Sequence, residues 1–319
     1  MTRTNLLLLA AIALALPLSL LAGRVWIDPF QPALAAAPAI LLELRLPRGV
    51  LALVVGAGLG GAGAAMQGYL RNPLADPGLF GIAPGAALGA VLALLTGASA
   101  AYALPLAALI GAGSAMALLA LIAGRTAGVT LFTLAGMMIA SLAGALTSLA
   151  VSLAPNPFAL SEIVTWLMGA LTDRGWPDVW IAAPPTLLGL LVLTRAGRDL
   201  DALTLGEDTA RSLGVEPRRV QALMIVGVGL TVGAGVAVAG IIGFVGLMVP
   251  HLVRRFTDRR PSQLIVPSAL AGALLVLIAD MLCRIMPLAG GELRLGIGLS
   301  LLGAPFFLML LLRMRKGLA

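Results

Sequence analysis

Side chains able to do covalent or metal chemistry are scarce in this chain of 319 residues, which has one histidine, His251, and one cysteine, Cys283. Neither a disulfide framework nor a His/Cys metal cluster can be assembled within one copy. Lysine also occurs once, at Lys316. A phosphate-cradling G-x-x-x-x-G-K-[ST] loop needs a lysine behind its glycines, and no such loop is present. Asp280 is the one carboxylate placed inside an apolar stretch, and an acid there is a functional candidate by default. Arg284 lies four residues on, on the same helix face, so mutual neutralisation is the simpler reading. What remains is recognition by charge and by fixed turns. Its candidates are Arg45 and Arg48, the loop Asn72-Pro73-Leu74-Ala75-Asp76-Pro77, and the polar stretch 199–219.

The composition says what positions these residues. Hydrophobic residues make up 60% of the chain and charged ones 11%, with a mean hydropathy of +1.04, so the solvent is a bilayer rather than water. A hydrocarbon core of roughly 30 Å takes about 20 helical residues to cross. Windows of that length place spans near 5–22, 48–68, 79–96, 102–123, 130–153, 177–194, 220–240, 242–256, 263–283 and 295–312. The expected fold class is an all-α integral membrane protein, a bundle of about ten transmembrane helices in a single domain over 1–319, with both termini on one side.

Residues 222–253 are apolar throughout, too long for one upright helix and short for two. The flanking segments 195–219 and 254–260 are both basic, which puts both in the cytoplasm and requires two crossings, with a turn near Gly240 to Gly243. This topology places 15 of the 21 Arg and Lys residues inside, among them Arg3, Arg71, Arg125 and Arg313. Outside fall Arg24, Arg45, Arg48, Arg174, Arg284 and Arg294. The net charge of +7 is thereby explained by topology and not by a nucleic-acid face. Arg3 before an apolar run ending at Ala22-Gly23 also fits a signal peptide, but removing that span would invert the topology that the later charges support.

Glycines recur inside the spans, as in Gly56-Ala57-Gly58-Leu59-Gly60-Gly61 and Gly227-Val228-Gly229, and read as close helix packing. Spans 48–68 and 220–240, both Gly-rich and opposite in direction, hint at an inverted repeat. Pro184-Pro185 should kink the sixth span. Between Gly206 and Gly214 a polar helix of about seven residues is expected, with Glu207 and Asp208 at its positive end and a glycine to cap it. It is too short to stand alone and needs a surface to dock on. In the Asn72 to Pro77 loop, proline after Asn and after Asp forces a turn of fixed shape.

Five signatures occur in order. They are Arg45-Leu46-Pro47-Arg48; Met66-Gln67 with Arg71-Asn72-Pro73-Leu74-Ala75-Asp76-Pro77-Gly78; Gly206-Glu207-Asp208-Thr209-Ala210-Arg211-Ser212-Leu213-Gly214-Val215; Gly243-Phe244-Val245-Gly246-Leu247-Met248-Val249-Pro250-His251-Leu252-Val253-Arg254; and Gly296-Ile297 with Leu302-Gly303-Ala304-Pro305-Phe306-Phe307. Nearly the whole chain thus resembles the FecCD family, the ten-helix permease subunits of bacterial ATP-binding-cassette importers for iron-siderophores, haem and cobalamin.

The resemblance implies that the chain is no enzyme and binds no cofactor. It implies two ATP-binding-cassette ATPase subunits as partners, a second permease subunit (self or paralogue), and a periplasmic or lipid-anchored substrate-binding protein. The setting would be the bacterial inner membrane, with both termini cytoplasmic, and no nucleic acid is involved. A ferric siderophore is the foremost cargo, with haem or cobalamin as alternatives.

Carried over by position, Gly206, Glu207, Asp208, Thr209, Ala210, Arg211, Ser212, Leu213 and Gly214 form the helix that couples to the ATPase, against the alternative of a solvated loop. Asn72 and Leu74, with Val129 and Thr130, form a cytoplasmic gate, against a purely structural turn. Arg45, Arg48 and Arg284 dock the binding protein, against contact with lipid phosphate or with Glu43. His251 reads as a helix-end residue, and Met137 and Met138 as core packing, against facing the pathway. A proton- or sodium-driven carrier would bury more ionisable residues than Asp280, and a membrane enzyme would need a reactive constellation that is absent.

Overall fold

The computed structural model describes residues 2–23, 26, 37–97, 102–123, 128–286 and 291–316. Arg24 and Arg125, both used in the charge count, lie outside the described residues. The chain forms α1 (Arg3–Leu21), a single turn α2 (Ala37–Ala39) leading into a π-helical segment Ile40–Arg45, then α3 (Leu46–Tyr69) and α4 (Ile82–Leu95). There follow α5 (Ala103–Ala123), α6 (Val129–Ser152), α7 (Pro157–Leu167), α8 (Trp176–Leu203) and α9 (Glu207–Ser212). The last are α10 (Pro217–Ala239), α11 (Val245–Val253), α12 (Pro261–Ile285) and α13 (Leu295–Lys316). Proline opens α7, α8, α10 and α12 within the first turn, where no intrahelical N–H is lost and φ is already helical.

Among the described residues, eight helical segments are long and apolar enough to cross a bilayer: α1, Ile40–Tyr69, α5, α6, α8, α10, α12 and Leu295–Arg313. The two other expected spans are shorter than drawn. For 79–96 the structure has a 3-10 turn Pro77–Phe80 and the 14-residue α4. For 242–256 it has the nine-residue α11 and a 3-10 turn Arg254–Phe256. The expected turn at Gly240 to Gly243 is a non-helical stretch reaching Phe244. α11 with its 3-10 turn is about 20 Å long, too short to cross roughly 30 Å of hydrocarbon by itself. The sixth span also needs correcting. α8 continues past 194 to Leu203, uninterrupted by Pro184-Pro185. The 11-residue α7, started by Asn156 accepting from the Ala159 N–H (2.9 Å), was not expected at all.

α3 and α10 are the centre of the bundle, each with 78% of its apolar window buried, against 6% for α1 at the edge. Their glycines make this possible. A Cβ on Gly56 or Gly60 of α3 would collide with backbone of Gly272 or Ser268 in α12, and one on Gly63 would strike Gly246 in α11. Gly85, Gly89 and Gly111 do the same between α4 and α5. Small residues four apart bring helix axes close, which is the main source of helix association when lipid is as apolar as leucine.

Non-helical backbone within a membrane must be enclosed by protein. At the outer end of the break, Ala170 N–H donates to the Ala239 carbonyl (2.8 Å) and Gly296 N–H to the Gly169 carbonyl (3.0 Å). Gly169 (φ 68°) and Gly240 (φ 69°) both adopt the left-handed region, and a Cβ on either would meet a carbonyl of the other segment. Three backbones therefore cross at one point.

Glycine position decides tolerance. Gly60→Leu is expected to abolish folded protein in detergent, costing more than the roughly 1–3 kcal/mol of an ordinary overpacked site, because the obstacle is backbone. Gly113 and Gly144 face open space. Gly113→Ala should leave the protein folded and raise its thermal unfolding midpoint, by up to about 1 kcal/mol of helix propensity. Equal loss in both variants would show that glycine content, not close approach, is what matters.

Candidate functional site

The end of the bundle expected to face the cytoplasm gathers three of the five signatures. α3 ends at Tyr69, and Arg71 turns the chain with φ 51°. Asn72 Oδ1 then accepts from Leu74 N–H (2.9 Å) and Asp76 Oδ1 from Gly78 N–H (2.7 Å), so two successive side-chain turns shape the loop, each with proline next in line. Gly81, in the left-handed region (φ 82°), packs against Ile139, about 15 Å along α6 from its first residue. The loop is therefore re-entrant, which is why α4 is short.

Val129 and Thr130 open α6, and Thr133 Oγ1 donates to the Val129 carbonyl (2.8 Å). The two turns assigned to a gate meet through Phe132. Its ring lies 5.3 Å from that of Tyr69 and 5.5 Å from that of Phe80, centroid to centroid. This aromatic clasp escaped the sequence reading; three isolated aromatics in apolar runs gave no spacing signal. A second link joins signatures far apart in sequence. Gln67 Nε2 donates to the carbonyls of Gly246 (3.2 Å) and Leu247 (3.3 Å), and Gln67 Oε1 accepts from Arg254 Nη2 (3.0 Å).

The polar helix between Gly206 (φ 103°) and Gly214 (φ 86°) is α9, of six residues. Glu207 and Asp208 lie in its first turn and Arg211 in its last, matching the helix dipole. Thr209 accepts through its carbonyl from Leu213 N–H (3.1 Å), Ser212 Oγ donates to the Asp208 carbonyl (2.9 Å), and Ala210 is wholly buried. Glu207 pairs with Arg71 at 3.9 Å, so the helix touches the gate loop. Asp201, at the foot of α8, accepts from both the N–H and the hydroxyl of Ser262 in the first turn of α12.

Between the loop and the broken span lies a cavity of about 340 Å3. Leu74, Asp76, Leu59, Val236, Phe244 and Phe307 are among its walls, and Asp76 is the only ionisable one. Met137 and Met138, expected in the core, are instead exposed on one face of α6 with Leu134 and Leu142. Their exposure corrects that reading: in a membrane protein an apolar face need not turn inward. His251, expected at a helix end, sits near the end of α11, edge-on to Phe306.

At the opposite end, expected to face outward, the three arginines are each engaged within the chain. Arg48 holds Asp280 through Nε (3.0 and 3.1 Å) and Nη2 (2.8 Å), and its Nη1 lies 2.8 Å from Glu292. Arg284 pairs with Asp280 at 3.2 Å, as the i, i+4 spacing foretold, and donates to Ser19 Oγ (2.6 Å). Arg45 Nη1 donates to the carbonyls of Leu20 (2.7 Å) and Leu21 (2.9 Å), closing the end of α1. Arg45, Arg48 and Arg284, with Arg174, line an outward hollow of about 620 Å3 that also holds Glu43, Asp173 and Glu292.

Among the described residues no group of three or more His, Cys, Asp or Glu could hold a metal ion. A model of the FecCD transport family matches residues 7–313. The vitamin B12 import system permease protein BtuC of Salmonella typhimurium (strain LT2) is 38% identical over 308 residues, covering 95% of this chain and 92% of that protein. The uncharacterised ABC transporter permease protein YvrB of Bacillus subtilis (strain 168) is 39% identical over 287 residues, 87% of this chain and 80% of that one. A solved structure described as a metal-chelate type ABC transporter in an inward-facing conformation superposes with a TM-score of 0.88 at 31% identity, over 97% of this chain and 98% of that chain. With the match running from α1 to α13, the chain belongs to the FecCD transport family and is a permease subunit of an ATP-binding-cassette importer.

Proposed function

We propose that this permease passes a metal chelate, a ferric siderophore foremost, from a binding protein to the cytoplasm by alternating access, with ATP hydrolysed on two partner ATPase subunits. One observation carries the coupling: α9 reaches the gate loop through Glu207 and Arg71, and is flanked by Leu205 and Leu213, each 63% exposed. Both leucines lie beyond the membrane-spanning helices, where an apolar surface beside a six-residue helix calls for another protein to cover it. Displacement of α9 would be felt at once by Arg71 and the Asn72 to Leu74 turn. Leu74 lines the central cavity, and Val129 and Thr130 follow through Phe132, so the four gate positions would move as one.

At the outer hollow, Arg45, Arg48 and Arg284 would receive acidic groups of the binding protein, in competition with Glu292 for Arg48. The exposed α6 face would meet a second permease subunit or lipid. Thr4 Oγ1 donates to the Phe256 carbonyl (2.9 Å), which ties the start of α1 to the basic Arg254-Arg255 end and supports a cytoplasmic N-terminus. Leu295 to Lys316 would return the C-terminus to the same side. A second reading, cobalamin as cargo, is favoured by the vitamin B12 relatives that match over 95% of the chain.

The deciding experiment is ATPase activity of the permease copurified with its ATPase in lipid, with binding protein loaded in turn with ferric siderophore, haem or cobalamin. Stimulation by one loaded form identifies the cargo; no copurifying ATPase rejects the reading. Leu213→Asp should cut copurification and transport several-fold while permease stability stays within about 0.5 kcal/mol of wild type, as for other surface changes. Undiminished coupling would remove α9 from that role. Arg45→Glu should weaken binding-protein capture by about tenfold at low ionic strength, fading as salt rises. Capture that is unchanged, in a variant whose unfolding midpoint is also unchanged, excludes docking through Arg45.

A further inference from the structure

A second inner cavity, of about 420 Å3, lies beside the gate loop, and the cargo reading leaves it without a role. Its walls come from Gln67 and Gly68 at the end of α3, Arg71 and Pro73 of the loop, Thr204 after α8, and Arg254, Arg259 and Pro261 before and at α12. Three arginines face it, and none of the lining residues is acidic. Of the nearby carboxylates, Asp258 pairs with Arg260 and Asp201 with Ser262, while Glu207 reaches one of the three lining arginines, Arg71, only in a long, half-exposed contact of 3.9 Å.

Two further observations set this cluster apart from ordinary positive-inside charge. Arg254 Nε is buried and has no hydrogen-bond partner, although Arg254 Nη2 is held by Gln67. A buried cationic donor left unpaired is costly, and it asks for an acceptor that the protein itself does not supply. Arg71 (φ 51°) and Arg259 (φ 66°) are both non-glycine residues in the left-handed region, a backbone conformation that L side chains rarely adopt. Two strained arginines facing one cavity, with an orphaned guanidinium donor on a third, are what a site for a multivalent anion needs. Forked N–H donors match phosphate oxygens.

We propose that this cavity binds a phosphate group, carried by an anionic inner-leaflet lipid or by a soluble phosphate. The volume admits a phosphoglycerol headgroup, and basic pockets between spans at the cytoplasmic surface suit such headgroups. Occupancy would neutralise Arg71, Arg254 and Arg259 together and so tie the flank of the gate loop to the foot of α12. Nothing in this depends on which chelate is carried.

The test uses the full-length permease purified in neutral detergent. Inorganic phosphate is titrated against chloride at matched ionic strength, and dihexanoyl phosphatidylglycerol against dihexanoyl phosphatidylcholine, with the thermal unfolding midpoint as readout. Saturable stabilisation by both phosphate and phosphatidylglycerol, each competing with the other, supports the site with lipid as one source. Stabilisation by phosphate alone assigns it to soluble phosphate, and by phosphatidylglycerol alone to lipid. In each case Arg259→Gln, at an exposed position where folding is not at stake, should weaken the apparent affinity about tenfold, the loss expected for one charge-assisted hydrogen bond. Arg259→Lys should restore part of it. Midpoints that do not move, or that move equally in Arg259→Gln, overturn the proposal.

Discussion

Backbone amides and carbonyls in the hydrocarbon core have no water to bond, so a chain that leaves the helix there must wrap the break in protein. Gly240 to Phe244 and the re-entrant loop before α4 are two such breaks, and small residues enclose both. Gly63 brings α3 onto α11 at Gly246, and Gly246 in turn sits under Pro77 of the loop. Gly169, Gly240 and Gly296 let three segments cross while Ala170 and Gly296 bond across them. The central cavity follows from the same constraint. Its walls combine the loop with the broken span, and two unwound segments side by side leave space that two close-packed helices would fill.

Hydropathy made the bundle legible, because a helix that must cross about 30 Å of hydrocarbon writes its length into the sequence. The breaks were less legible. Residues 222–253 are equally apolar whether helical or not, and parity of charge located the turn without showing that it runs on to Phe244 and leaves only a short helix after it. What decides that is the backbone at Gly240 and the positive φ of Phe244, a residue type that gives no warning of it. α7 was missed because 11 residues fall below the length of a crossing window, although Asn156-Pro157 is a readable start signal.

For the candidate sites, sequence gave the residue types and withheld the partners. Arg48 and Asp280 are 232 positions apart, so no local spacing could pair them, whereas Asp280 and Arg284 are one turn apart and their contact was foreseeable. Met66-Gln67 and Arg254 stood out only as parts of separate signatures. In the fold Gln67 bridges them, 187 positions apart. Arg71 and Glu207 likewise belong to different signatures and meet at 3.9 Å in the fold.

The ionic contacts are unequal at the two ends, and that inequality bears on how the bundle can move. Outside, Asp280 is fully buried between Arg48 and Arg284, whose side chains are 11% and 4% exposed. Removing one member of such a buried cluster strands a charge, at about 3–5 kcal/mol. Through Arg48, Asp280, Arg284 and Ser19 it fastens α3, α12 and α1 together. Inside, the Arg71 to Glu207 pair is long and half exposed, of the kind worth about 0–1 kcal/mol. A contact that weak can be made and broken by thermal motion, while the outer cluster cannot. Under the proposed coupling, the end of the bundle that carries the loop is accordingly the one free to move, against a bundle pinned at its far end. The re-entrant loop reinforces this: its shape rests on two side-chain turns and on the aromatic clasp at Phe132, so it can swing as a unit without unwinding.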